Sequence, residues 1–233
     1  MIPVPEINLG GILPALVLCL AGLVVLVACL FVPRGKLTCG AIISLVGIII
    51  AFMANGHLRY LNEKAFSGLV VLDAYGWYLN ILILLAAALT ILISIRYLAD
   101  EGLHLYEYFV LLLFASAGMM FMVSANHLLM IFVGLETLSI SIYILAGVRP
   151  GKPESKEAAL KYLLLGAFAS GIFLYGAALL YGSASSLSLP VLANYCRGGH
   201  MSLMAKAGMG LVLVGFAFKV AAVPFHMWTP DVY

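Results

Sequence analysis

Apolar residues along this chain gather into long unbroken runs, with the polar positions collected between them. Crossing a bilayer core about 30 Å thick takes roughly 20 apolar residues in helical form, because hydrocarbon offers no partner to an unpaired backbone group. Seven runs meet or nearly meet that length: 10–32, 37–54, 76–98, 105–123, 128–148, 158–181 and 205–222. The segments between them are short and polar, the longest being 55–75 and 182–204. This pattern predicts an all-α, polytopic membrane helix bundle. Residues 1–104 carry its first three helices and residues 105–233 the next four.

The first run occupies the place of a cleavable signal, and Leu26-Val27-Ala28-Cys29 resembles a lipoprotein processing box. The segment before it has no Lys or Arg, and the run is long enough to span, so it is expected to remain as a helix. Composition then narrows the class. Of 233 residues 64% are hydrophobic and 9% charged, with a mean hydropathy of +1.14, against about 25% charged residues in a soluble domain. So few charges cannot coat a water-soluble fold of this size. Twelve Lys and Arg face ten Asp and Glu, with no basic tail or acidic run, so nucleic acid is not an expected partner.

Where the charges sit is more informative than their number. With the N-terminus outside, the inner loops hold Arg34, Lys36, Arg96, Arg149, Lys152 and Lys156, and the outer ones Arg59, Lys64 and Arg197, with Lys206 near the edge. Excess positive charge inside predicts this N-out orientation. Most charged residues lie in loops or within a turn of a run end, and three fit that pattern poorly. Glu136 is eight residues into the fifth, about 12 Å along a helix. Lys219 is fourteen residues into the seventh, and Lys161 three residues into the sixth, where snorkelling to the interface is an alternative to a role in transport.

A charge at the centre of a membrane helix costs about 2.5 to 3.5 kcal/mol on a lenient scale, so such residues read as ion- or proton-pathway positions. An acid and a base on separate helices are expected to pair, each offsetting part of the other's desolvation. Separating Glu136 from Lys219 would then release a proton, and closing the pair would reload it. Pro224 and Pro230 follow Lys219, the pattern of a discontinuous helix whose loosened backbone lines a wet cavity. His226, between them, is either a proton relay or an interfacial histidine.

Several features call for no chemistry. Gly166/Ser170 and Ala167/Gly171 are small residues four apart, a helix-packing spacing. Cys19, Cys29, Cys39 and Cys196 lack the spacing of a zinc site or disulfide framework. His57, His104, His127, His200 and His226 lie in loops or near run ends, which disfavours bis-histidine haem. There is no phosphate-binding or dinucleotide glycine motif. Energy for transport would come from an ion gradient or a partner.

Three blocks carry a resemblance: residues 121–145 around Glu136, residues 157–171 around Lys161, and residues 218–233 with Phe218-Lys219-Val220-Ala221-Ala222-Val223-Pro224-Phe225-His226-Met227-Trp228-Thr229-Pro230-Asp231. In this order they closely resemble the antiporter-like proton-translocating subunits of respiratory complex I, most of all the subunit N group of bacterial NADH:quinone oxidoreductases. The resemblance implies that Glu136 and Lys219 form the pair driving proton transfer and that Lys161 continues the pathway. It implies further that NADH, FMN, iron–sulfur clusters and quinone are bound by partner subunits, none by this chain. Other membrane subunits and the peripheral arm of the complex would be its partners, and the bacterial inner membrane its location. The family has a further lysine in an eighth helix and a second inverted repeat, so 105–233 reads as an incomplete first repeat and the chain as truncated. A cation/proton antiporter subunit, a membrane-bound hydrogenase subunit and a purely structural subunit are the alternatives.

Overall fold

The computed structural model describes residues 8–31, 37–58, 63–103, 105–149, 151–199 and 201–232. Arg34, Lys36, Arg59, His104, His200 and the segment 1–6 lie outside the described residues. The described chain forms nine α-helices: α1 Leu13–Ala28, α2 Leu37–Leu58, α3 Ala74–Asp100, α4 Glu107–Val123, α5 Leu128–Ala146, α6 Pro153–Ala184, α7 Leu189–Arg197, α8 Leu203–Lys219 and α9 Thr229–Val232. Two three-residue strands, β1 Glu63–Ala65 and β2 Val70–Leu72, pair antiparallel with Glu63 opposite Leu72.

Among the described residues five helical segments are long and apolar enough to cross a membrane: Leu9–Ala28, Leu37–Leu58, Ala74–Asp100, Leu128–Ala146 and Pro153–Ala184. The other two expected spans, α4 and α8, have 17 residues each, which is the lower limit for spanning. The expected boundaries change at two functional places. Helix α6 begins at Pro153 rather than 158, because Glu154, Ser155, Lys156 and Glu157 are helical although polar. Helix α8 stops at Lys219, three residues before the expected end at 222.

The chain divides into two compact units. The first comprises Met1–Ala125 and Val133–Leu145. In it α1 packs on α2 and α4, and α3 packs on the same two helices. Phe109, Leu18, Leu84, Ile91, Leu98, Leu113 and Val25 are fully buried among them. The β-hairpin joins this bundle through the Val71 N–H, which donates to the Ser124 carbonyl at 2.9 Å. Helices α4 and α5 approach at glycine: a Cβ on Gly118 would lie 2.6 Å from the Leu138 nitrogen, and one on Gly134 2.8 Å from the Gly118 carbonyl oxygen.

The second unit comprises Asn126–Phe132 and Ala146–Tyr233. Here α6 and α8 run against each other with backbones nearly touching. A Cβ on Gly176 would stand 2.7 Å from the Gly208 carbonyl oxygen, and one on Gly208 2.8 Å from that of Gly176. Leu128, Phe173, Ala177, Leu180, Leu187, Leu192, Ala205 and Val212 form the buried core of this unit. Of the two small-residue pairs, Gly166 and Ser170 face inward, whereas Ala167 and Gly171 are exposed.

Candidate functional site

The break after Lys219 is built by the backbone. The Ala222 N–H donates to the Ala217 carbonyl at 2.8 Å and the Ala221 N–H to that of Phe218 at 3.1 Å, while Ala221 takes a left-handed φ of +53°. This nested pair closes a helix with the position after the cap in left-handed geometry, a place usually given to glycine. Pro224 follows and cannot rejoin the helix. Lys219 is therefore the last residue of α8, half-buried, with its cation at the helix's negative pole. The break expected just past Lys219 is present, and it ends the helix three residues before 222.

Residues 220–228 then turn rather than continue as helix, and α9 brings the chain back to α6. Trp228, 3% exposed, is the anchor. Its ring stacks on Tyr162 of α6 with centroids 4.3 Å apart and planes 9° from parallel, and its indole N–H donates to the Phe218 carbonyl at 3.3 Å. One buried ring thus ties the end of α8 to the turn of α6 that carries Lys161.

Lys161 stands eight residues after Pro153, about 12 Å into α6. Its ammonium lies 2.8 Å from Glu157 Oε1, one helical turn earlier, and 3.0 Å from Asp231 Oδ2 of α9. Both Lys161 and Asp231 are a little under half exposed. Neither carboxylate was singled out by the sequence reading. Glu157 could have been found from its four-residue spacing, whereas Asp231, 70 residues away, leaves no local signal. His226 is exposed in the turn, and its carbonyl accepts from the Thr229 N–H at 3.0 Å. The structure thus places Lys161, Lys219 and His226 in one unit, with Trp228 between the first two.

Glu136 belongs to the other unit. It is half-buried on α5, eight residues after Leu128, and shares a face with Ser139 and Tyr143, which are 3% and 5% exposed. The Ser139 hydroxyl donates to the Leu135 carbonyl, and Tyr143 hydrogen-bonds Ser139 and lies within the field of Glu136. The carboxylate therefore sits at one end of a buried polar stripe. The close α4–α5 crossing at Gly118 and Gly134 fixes the turn from which it projects.

Residues 125–233, which hold Glu136, Lys161, Lys219 and His226, match the family described as NADH:quinone oxidoreductase/Mrp antiporter, transmembrane. Over these residues, a little under half of the chain, it is similar to that family. Similarity extends beyond the matched segment. The chain is 43% identical to NADH-quinone oxidoreductase subunit N of Trichlorobacter lovleyi over 97% of its own length and 47% of the relative's. It is 43% identical to NADH-quinone oxidoreductase subunit N 2 of Roseiflexus castenholzii over 90% of its length and 43% of the relative's. Among solved structures it resembles a chain of respiratory complex I from Thermus thermophilus with bound aureothin, at 34% identity and a TM-score of 0.74, covering 94% of this chain and 47% of that one. The fold is also that of a chain in the membrane-bound sulfane sulfur reductase, an archaeal respiratory membrane complex, at 22% identity and a TM-score of 0.81, covering 97% and 48%. The chain spans about half the length of the relatives it matches.

Proposed function

We propose that the protein is a membrane subunit of an NADH:quinone oxidoreductase, acting in the bacterial inner membrane with the N-terminus outside. In this reading it translocates protons while partner subunits carry electrons from NADH through FMN and iron–sulfur clusters to quinone. The observation that carries the reading is 43% identity to a subunit N over 97% of the chain, with Glu136, Lys161 and Lys219 standing inside the span candidates or at the helix break. Residues 1–104 would support a first antiporter-like repeat made by 105–233.

The residues divide the work as follows. Glu136 and Lys219 form an ion pair that opens and closes with the state of the complex, so that Lys219 gives up its proton when it loses the counter-charge and regains it when the pair re-forms. Lys161 receives and passes the proton, with Glu157 and Asp231 holding its ammonium in place. His226 relays protons through the turn after α8. Glu136→Gln or Lys219→Ala in the full-length subunit is expected to abolish most proton pumping by membrane vesicles oxidising NADH, with the complex assembled. Wild-type pumping in both variants overturns the reading.

The family description also names the Mrp antiporter, which favours one second reading, a subunit of a cation/proton antiporter. Sodium-dependent proton exchange without electron transfer would select it. A purely structural role predicts instead that replacing both Glu136 and Lys219 by uncharged residues of matched volume leaves activity intact.

A further inference from the structure

We infer that the first unit contains a site for one water molecule, bound by Asn80 at the end of the bundle beside the β-hairpin. Asn55 of α2 and Asn80 of α3 are 0% and 7% exposed. Their hydrogen bonds have only one consistent polarity. The Asn55 amide nitrogen donates to the Trp77 carbonyl at 3.1 Å, which turns the Asn55 carbonyl oxygen toward Asn80, where it accepts from the Asn80 amide nitrogen at 3.1 Å. Flipping Asn80 would set two oxygens face to face. Asn80 Oδ1 therefore points away from Asn55, and among the described residues it meets no protein donor.

A buried carbonyl oxygen without a donor loses its hydration without compensation, and the site offers a remedy. A cavity of about 10 Å³ lies beside it, walled by Asn55, Asn80, Trp77, Asp73, Gly76 and Ser124. That volume admits the centre of one water and no larger ligand. The wall supplies acceptors as well. Asp73 uses one oxygen to cap α3, receiving the Gly76 N–H at 2.6 Å, and Ser124 spends its proton on the Met120 carbonyl at 3.0 Å, leaving lone pairs on its oxygen. A water giving one O–H to Asn80 Oδ1 and the other to Asp73 or Ser124 completes the network. The hairpin, held by the Val71–Ser124 bond, lines this cavity through Val71 and Leu72, and the cavity volume holds a single water rather than a conducting file.

The test is a map of the assembled wild-type complex at a resolution that shows ordered waters, compared with one of Asn80→Leu. One isolated peak within hydrogen-bonding distance of Asn80 Oδ1, absent in the variant, is expected. No peak in the wild type, or an unchanged peak in the variant, overturns the inference. Should Asn80→Leu fail to assemble, the wild-type map decides alone, and Asn80→Ala repeats the comparison. Proton pumping by an assembled variant is expected to match wild type, and a loss would contradict the non-conducting character assigned to this water.

Discussion

Protonation of His127 is disfavoured by its place at the start of α5. Its Nδ1 accepts the Leu129 N–H at 3.3 Å, so the imidazole caps the helix as a neutral acceptor, and burial holds its pKa below the ordinary 6.5. Well above pH 6.5 the folded and unfolded chains are both neutral here. As pH falls from there through the lower folded value, the unfolded chain takes the proton first and stability is lost. Protection of the Leu129 amide from hydrogen exchange, corrected for intrinsic rate, is expected to fall across that window. His127→Asn, which keeps a capping oxygen, is expected to remove the pH dependence. Asp231 is the other residue whose effect is specific. Exposed ion pairs add little to stability, so Asp231→Asn is expected to leave assembly intact while lowering pumping several-fold, with Asp231→Glu restoring it. Wild-type pumping in Asp231→Asn would separate Asp231 from the transport path.

The helices themselves were legible because lipid demands long apolar runs, and α1 to α5 lie where the hydropathy places them. What the sequence hides has physical causes. The first turn of α6 is polar and helical together, so hydropathy starts that helix too late. The hairpin has strands of three residues, too short for an alternating pattern to register. The end of α8 is set by a left-handed alanine, although Pro224 marks the neighbourhood. Left-handed backbone costs an L-residue about 1–2 kcal/mol, so Ala221→Gly is expected to raise the thermal midpoint of the subunit, and a fall would contradict the cap. The glycines of α6 and α8 differ in the same legible-only-in-space way. Gly176→Val and Gly208→Val are expected to cost about 3 kcal/mol or more through overpacking, seen as loss of assembled complex. Gly171→Ala and Gly210→Ala meet nothing within 4 Å and are expected to be neutral.

At the scale of the whole molecule, the functional residues are distributed so that no short window of sequence contains a complete site. Glu136 belongs to one compact unit and Lys161, Lys219 and His226 to the other. Charge placement and the proline break single out these positions, and the resemblance to known proteins, which compares a whole order of helices, adds the roles proposed for them. It could not find Asp231 as the partner of Lys161, since that pairing depends on the chain turning back after α8. The same pairing bears on how the protein is made. Asp231 follows Lys161 by 70 residues, and at a synthesis rate of about 5–20 residues per second the ribosome needs roughly 4 to 14 seconds to reach it after adding Lys161. During that interval Glu157, one turn away in the same helix, is the one of the two paired carboxylates already synthesised. The i−4 carboxylate is thus available to the nascent chain, and Asp231 takes its share only once the last helix of this segment has been released.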